Sequence, residues 1–150
     1  MSIAEIELES AKATQALGVA VARALRAGEA VCLWGPLGAG KTTLARGLIG
    51  ALQRVPEEVP SPTFTLVQIY EGTDFPLAHF DLYRLNSVEE TRELGLDEAL
   101  EDGAAVIEWP ERLEGRLPGE RLDIVLSIRG EGRLARLERH GAWRGRSIER

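Results

Sequence analysis

The sequence predicts a single α/β domain of the P-loop NTPase kind, its mixed sheet parallel at the centre with antiparallel additions and flanked by helices. Three observations predict it. A continuous apolar run, "EAVCLW" (29–34), leads straight into the glycine-rich "GPLGAGKTT", the strand–loop–helix order of a phosphate-binding loop. A second isolated apolar run, "AAVIEW" (104–109), has the pattern of a strand buried on both faces. Near the end, "RLDIVLSI" and "RLARLER" alternate on either side of "RGEG", which reads as a hairpin added to the sheet. A chain of 150 residues has the length of one domain, and no repeat, linker or low-complexity tract divides residues 1–150. The last roughly 15 residues match no motif and are expected as a flexible tail.

Taken in order, "SAKATQALGVAVARALRAG" is an amphipathic helix with Ser10 as its N-cap and Gly28 just past its end. Leu17, Val21, Ala24 and Leu25 fall near helical spacing. After the glycine-rich loop, "KTTLARGLIGALQ" is a second helix, and "PSPTF" is a proline-punctuated loop. "FTLVQIY" and "PLAHFDLY" are strands with "EGTDF" as the turn between them. "SVEETRELGLDEALEDG" is acidic and helical, and "AAVIEW" is stopped by Pro110. Parallel central strands joined by helices place this chain among α/β folds.

The central motif, G-x-x-x-x-G-K-[ST], is filled by Gly35, Gly40, Lys41 and Thr42. Glycines let the backbone turn so that successive N–H groups converge on phosphate oxygens. Lys41 can reach β and γ phosphates, and the Thr42 hydroxyl can bind magnesium. With this composition, chance yields the pattern about 0.002 times per chain. Only two of the 18 basic residues are lysines, Lys12 and Lys41, so a lysine inside "GAGKTT" calls for a specific role.

Such a loop needs an acidic partner for the metal at the end of a neighbouring strand. Glu108 ends "AAVIE" and Asp81 ends "LAHFD". The first run has the look of a central parallel strand, whereas the second belongs to a hairpin and is expected nearer an edge. Glu108 is therefore placed at the magnesium, with Asp81 second. Thr63 in "SPTF" sits where a mobile loop could sense a γ phosphate. Trp109 either packs over the nucleotide or caps the sheet edge. His79 shares a strand face with Asp81, but a lone strand histidine is rarely a ligand. His140 carries no signal. Cys32, the single cysteine, is expected as a buried, inert thiol in a reducing cytoplasm.

Bulk properties exclude several classes. No apolar run approaches the ~20 residues that span a bilayer, and "MSIAEIELES" lacks the basic start of a secretory signal. A net charge of −6 argues against a general grip on nucleic acid, DNA included. The charge is uneven: residues 111–150 carry a net +3, leaving −9 for the rest. Arginines interspersed with glutamates in that stretch read as a solvated surface.

"GPLGAGKTTLARGL", "SPTFTLVQIYEG", "HFDLYRL", "RELGLDEAL" and "VIEWPERL", in this order and spacing, resemble the bacterial TsaE (YjeE) family. These are the small P-loop ATPases of the pathway that makes threonylcarbamoyladenosine in tRNA. The resemblance runs from about Thr14 to Arg133 and departs at Pro36, where the family usually has an acidic residue. It implies a weak, magnesium-dependent ATPase of the cytoplasm. That ATPase supports a complex of the TsaB and TsaD proteins, meets tRNA only through them, and is not itself the transferase. Carried onto this chain, the loop Leu37, Gly38, Ala39, Gly40, Lys41, Thr42 and Thr43 would hold the phosphates of ATP. Thr42 and Glu108 would hold magnesium with Asp81 close by, and Lys41, Asp81 and Glu108 would be the catalytic set. Thr63 would belong to a switch-like loop, Trp109 would neighbour the nucleotide, and Arg133 would reach it.

Two other classes compete. A small-molecule kinase would bring a mobile arginine-bearing lid, but the only arginine-rich region reads as a hairpin. A nucleotide-sensing module would keep the loop without useful turnover. A GTPase is disfavoured because N-K-x-D and D-x-x-G are both missing.

Overall fold

Ser10 starts the first helix as its residue type requires. Its hydroxyl accepts the Ala13 N–H at 3.1 Å in the computed structural model, satisfying one of the orphan donors of the first turn. The structure describes residues 3–55, 66–85, 87 and 89–148. Along them run β1 (Ile3–Leu8), α1 (Ala11–Ala24), β2 (Ala30–Trp34), α2 (Lys41–Leu52), β3 (Val67–Glu71) and β4 (Pro76–Asp81). These are followed by α3 (Glu90–Leu94), α4 (Leu96–Asp102), β5 (Ala104–Glu108), β6 (Arg121–Arg129) and β7 (Gly132–Arg139). The expected acidic helix is therefore two short ones, broken at Gly95 with φ 78°. Strand β1 was not expected. Its "IAEIEL" does alternate, with Ile6 and Leu8 turned to the core and Glu5 and Glu7 exposed.

The strands form one sheet in the order β1-β7-β6-β2-β5-β4-β3. At its centre β2 pairs in parallel with both β5 and β6, and β5 pairs in parallel with β4. The β3–β4 and β6–β7 hairpins and the β1–β7 pair are antiparallel, so the mixed sheet agrees with the sequence expectation. The strand ending at Asp81 belongs to a hairpin and lies nearer an edge than the Glu108 strand, as expected: β3 takes the edge and β4 stands between it and β5. Asp81 is thereby the register partner of Glu108. The run of buried residues 77–81 reflects this interior position.

Apolar layers cover both faces. On one, α1 and α2 pack Leu17, Val21, Leu44 and Leu48 against Val31, Leu33, Val106 and Leu122. On the other, Ala30, Cys32, Phe80 and Ile107 meet Leu113, with Leu94, Leu96 and Leu100 packed against them. Burial drives the Cys32 thiol far above its ordinary pKa, Asp123 adding to the effect and Arg121 opposing it, so this thiol is unreactive. The stretch expected as a flexible tail is anchored within the described residues, up to 148: Trp143 is fully buried. Arg146 grips Glu29 through two bonds of 2.6 and 2.8 Å and also donates to the Ala24 carbonyl at 2.9 Å.

Two glycines set how closely the helices approach. A Cβ on Gly18 of α1 would lie 2.2 Å from the Leu44 carbonyl oxygen, and one on Gly47 of α2 would lie 2.2 Å from that of Gln15. The helix backbones thus touch reciprocally, and this contact seats α2 over β2 and β5. Gly47→Ala should raise helix propensity by up to ~1 kcal/mol yet lower stability by about 1–3 kcal/mol, because backbone cannot yield to the new methyl. Urea unfolding of the variant measures this, and a stabilised variant would contradict the close contact.

Candidate phosphate-binding site

The loop between β2 and α2 is shaped by Gly35, Gly38 and Gly40, with φ of 141°, 80° and 102°. Non-glycine residues pay for such angles in steric strain. Gly35 is needed for space as well, since a Cβ there would meet the Leu126 carbonyl at 2.5 Å. Helix α2 begins at Gly40 with no side-chain cap and no acidic residue in its first turn. Its first N–H groups thus have no side-chain partner at the cap, which is the donor arrangement an anion takes up.

Parallel strands β2, β5 and β4 all point their carboxyl ends at this loop, so Glu108 and Asp81 arrive beside it. Glu108 is 2% exposed. Its Oε1 accepts the Thr42 hydroxyl at 3.0 Å, and its Oε2 lies 2.6 Å from His79 Nε2. Asp81 is buried and accepts the Tyr83 N–H at 3.1 Å. Lys41 donates to the Gly35 carbonyl and, at 3.3 Å, to that of Pro36. Its ammonium also lies 3.4 Å from the centroid of the Trp109 ring, a cation–π contact. Burial lowers the Lys41 pKa, while the carboxylates of Glu108, Glu111 and Asp81 pull it back up. Trp109 itself takes the left-handed conformation, φ 61° and ψ 50°, rare for a bulky residue and characteristic of functional positions. That turn lays its ring over Lys41 and 4.9 Å from the Tyr83 ring.

These groups surround an open cavity of about 410 Å³, lined by Leu37, Gly38, Gly40, Lys41, Thr42, Thr43, Asp81, Tyr83, Arg84, Glu108 and Trp109. The donor set suits a phosphate chain with magnesium: amides and an ammonium for the anion, and two hard oxygens, Thr42 Oγ1 and Glu108 Oε1, for the cation.

The family model described as "Threonylcarbamoyl adenosine biosynthesis protein TsaE" matches residues 8–136. The chain belongs to the TsaE family. It is 41% identical over 124 residues to a Treponema pallidum protein named tRNA threonylcarbamoyladenosine biosynthesis protein TsaE, covering 82% of this chain and 90% of that one. A Bacillus subtilis protein of the same name is 39% identical over 119 residues, covering 79% and 73%. Among solved structures, Bacillus subtilis YdiB superposes with a TM-score of 0.78 at 31% identity, over 93% of this chain and 87% of that one.

In this TsaE-family chain, most residues named from sequence converge on the cavity. Ala39 is buried, its methyl in the core and its N–H on the Pro36 carbonyl at 3.2 Å. Arg133 does not line the cavity; from β7 it donates to the Gly38 carbonyl at 2.9 Å, bracing the loop from outside. Thr63 and the "SPTF" segment lie outside the described residues. Three participants were not foreseen. Tyr83 and Arg84, which line the cavity, follow Asp81 in "HFDLYRL", a nearness that could have suggested them. His79 was set aside as lone, because its partner stands 29 residues away. Among the described residues, no helix is long and apolar enough to cross a membrane. Arg133→Ala should leave the fold intact and speed amide exchange at Gly38–Gly40 roughly fivefold, the equivalent of one part-exposed hydrogen bond of ~1 kcal/mol. Exchange followed by mass spectrometry would show it, and unchanged protection would deny the brace.

Proposed function

We propose that this protein binds ATP with magnesium, hydrolyses it slowly, and acts as an accessory of the TsaB–TsaD complex in forming threonylcarbamoyladenosine in tRNA. One observation carries the nucleotide part: Thr42 on the loop helix and Glu108 on the neighbouring parallel strand meet at 3.0 Å within a glycine-built anion cradle. Membership of the TsaE family supports the pathway.

The residues divide the work. Loop amides of Leu37, Gly38 and Gly40 to Thr43 bind the phosphate oxygens. Lys41 exchanges the carbonyls of Gly35 and Pro36 for the β and γ phosphates. Thr42 and Glu108 would hold magnesium, which when bound would supply charge neutralisation to the phosphates. Asp81, in register beside Glu108, faces the same cavity and orients the attacking water. Trp109 and Tyr83 wall the site and limit water entry. The chain's acidic balance fits a role in which partner proteins hold the tRNA, and the protein works in the cytoplasm beside them.

Opposite charges ~4 Å apart attract by about 4 kcal/mol at an effective dielectric of 20. Even discounted for solvent, Lys41→Ala should weaken ATP binding well over tenfold in calorimetry; unchanged affinity would remove the phosphate assignment. Phosphate release tests the turnover. Magnesium-ATP should be cleaved slowly by the chain alone and faster with TsaB and TsaD added. In Glu108→Gln, ATP should still bind while release falls sharply. Release indifferent to the pair would favour a small-molecule kinase, and pathway function surviving in Glu108→Gln would favour a nucleotide sensor.

A further inference from the structure

His79 is fully buried in the middle of β4. Alternation puts it on the face of Leu77 and Asp81, towards α2, with Val106 as its register partner on β5. From there it reaches diagonally to Glu108, Nε2 to Oε2 at 2.6 Å. The other ring nitrogen, Nδ1, is buried without a hydrogen-bond partner among the described residues. A leucine would fill such a place without leaving an unpaired polar atom, which costs ~1–3 kcal/mol. Among the described residues, the one polar contact the imidazole makes is with Glu108, so its chemistry is directed there. Thr42 occupies the other oxygen of the same carboxylate, so each oxygen of Glu108 has a partner of its own.

We infer that His79 is a positioning residue: the tautomer protonated on Nε2 holds Glu108 Oε2 from the core side, so that Oε1 is presented beside Thr42 for magnesium. This rests on the nucleotide reading above and extends it to a residue that touches neither nucleotide nor metal. Outer partners of metal-binding carboxylates set metal affinity by roughly 10–100-fold.

The test compares His79→Leu, which keeps bulk and removes the donor, with His79→Gln, which returns a side-chain N–H. Calorimetry with and without magnesium gives the gain in ATP affinity that the metal confers. In His79→Leu that gain and kcat should each drop roughly 10–100-fold, with metal-free ATP affinity held within about twofold. His79→Gln should recover most of both. In a Glu108→Gln background, His79→Leu should cost less than about twofold, since residues acting through one group are not additive. Loss of metal-free binding in step with the metal effect, equal damage from Leu and Gln, or loss of folding in both would assign His79 to the core alone and overturn the inference. So would an unchanged magnesium gain in His79→Leu. A wild-type chain that binds no ATP would defeat the nucleotide reading first and this inference with it; a wild type that binds with a clear magnesium gain isolates the question of His79.

Discussion

A carboxylate taken almost wholly out of water must be given partners, and the Glu108 carboxylate organises much of this molecule around that need. Desolvating a charge without compensation costs several kcal/mol, so both oxygens are engaged, one by Thr42 and one by His79. Meeting those two donors requires three elements at once. Strand β5 must end beside β2, β4 must lie on its other flank, and α2 must start directly above. The parallel order β2-β5-β4 supplies the first two conditions. The reciprocal backbone contact at Gly18 and Gly47 supplies the third, because it lets α1 hold α2 close against the sheet.

Around that carboxylate the site is built mainly from backbone. Gly35, Gly38 and Gly40 hold angles that open the loop, and the uncapped start of α2 offers its amides. Side chains then tune the cradle. Lys41 rests between loop carbonyls and the Trp109 face, a lodging for an ammonium whose charged form burial disfavours. Strain at Trp109 is sustained because Tyr83 and Lys41 pack on its ring and Pro110 starts a short 3-10 turn immediately after it. Arg133 ties the loop to the β6–β7 hairpin, joining the cradle to the opposite half of the sheet.

Legibility from sequence followed the range of the interactions. The loop glycines, Lys41 and Thr42 were readable because their spacing is a local requirement of phosphate binding. Glu108 was readable because the unbroken apolar run before it marks a strand buried on both faces. Hairpin membership put the Asp81 strand nearer an edge than that of Glu108, but says nothing about what lies on its other side, so the register of Asp81 with Glu108 was not legible. Strand β1 has a period of two, but its two glutamates are of a residue type depleted in strands, which weakens the local signal. His79 gave no local sign, since a histidine's role is set by what it touches.

By itself, then, the sequence determined the class of fold, the glycine-rich loop and the family, each carried by short motifs whose residues lie close together in the chain. Tertiary structure decided which strand lies at the edge, which histidine serves the carboxylate, how near α1 and α2 approach, and where the chain end rests. Those outcomes join residues far apart: Thr42 to Glu108 across 66 positions, Arg133 to Gly38 across 95, and Arg146 to Glu29 across 117. Local propensity and periodicity speak for a turn of helix or a strand, whereas such pairings are selected only when the whole core closes and every buried polar group must find its partner.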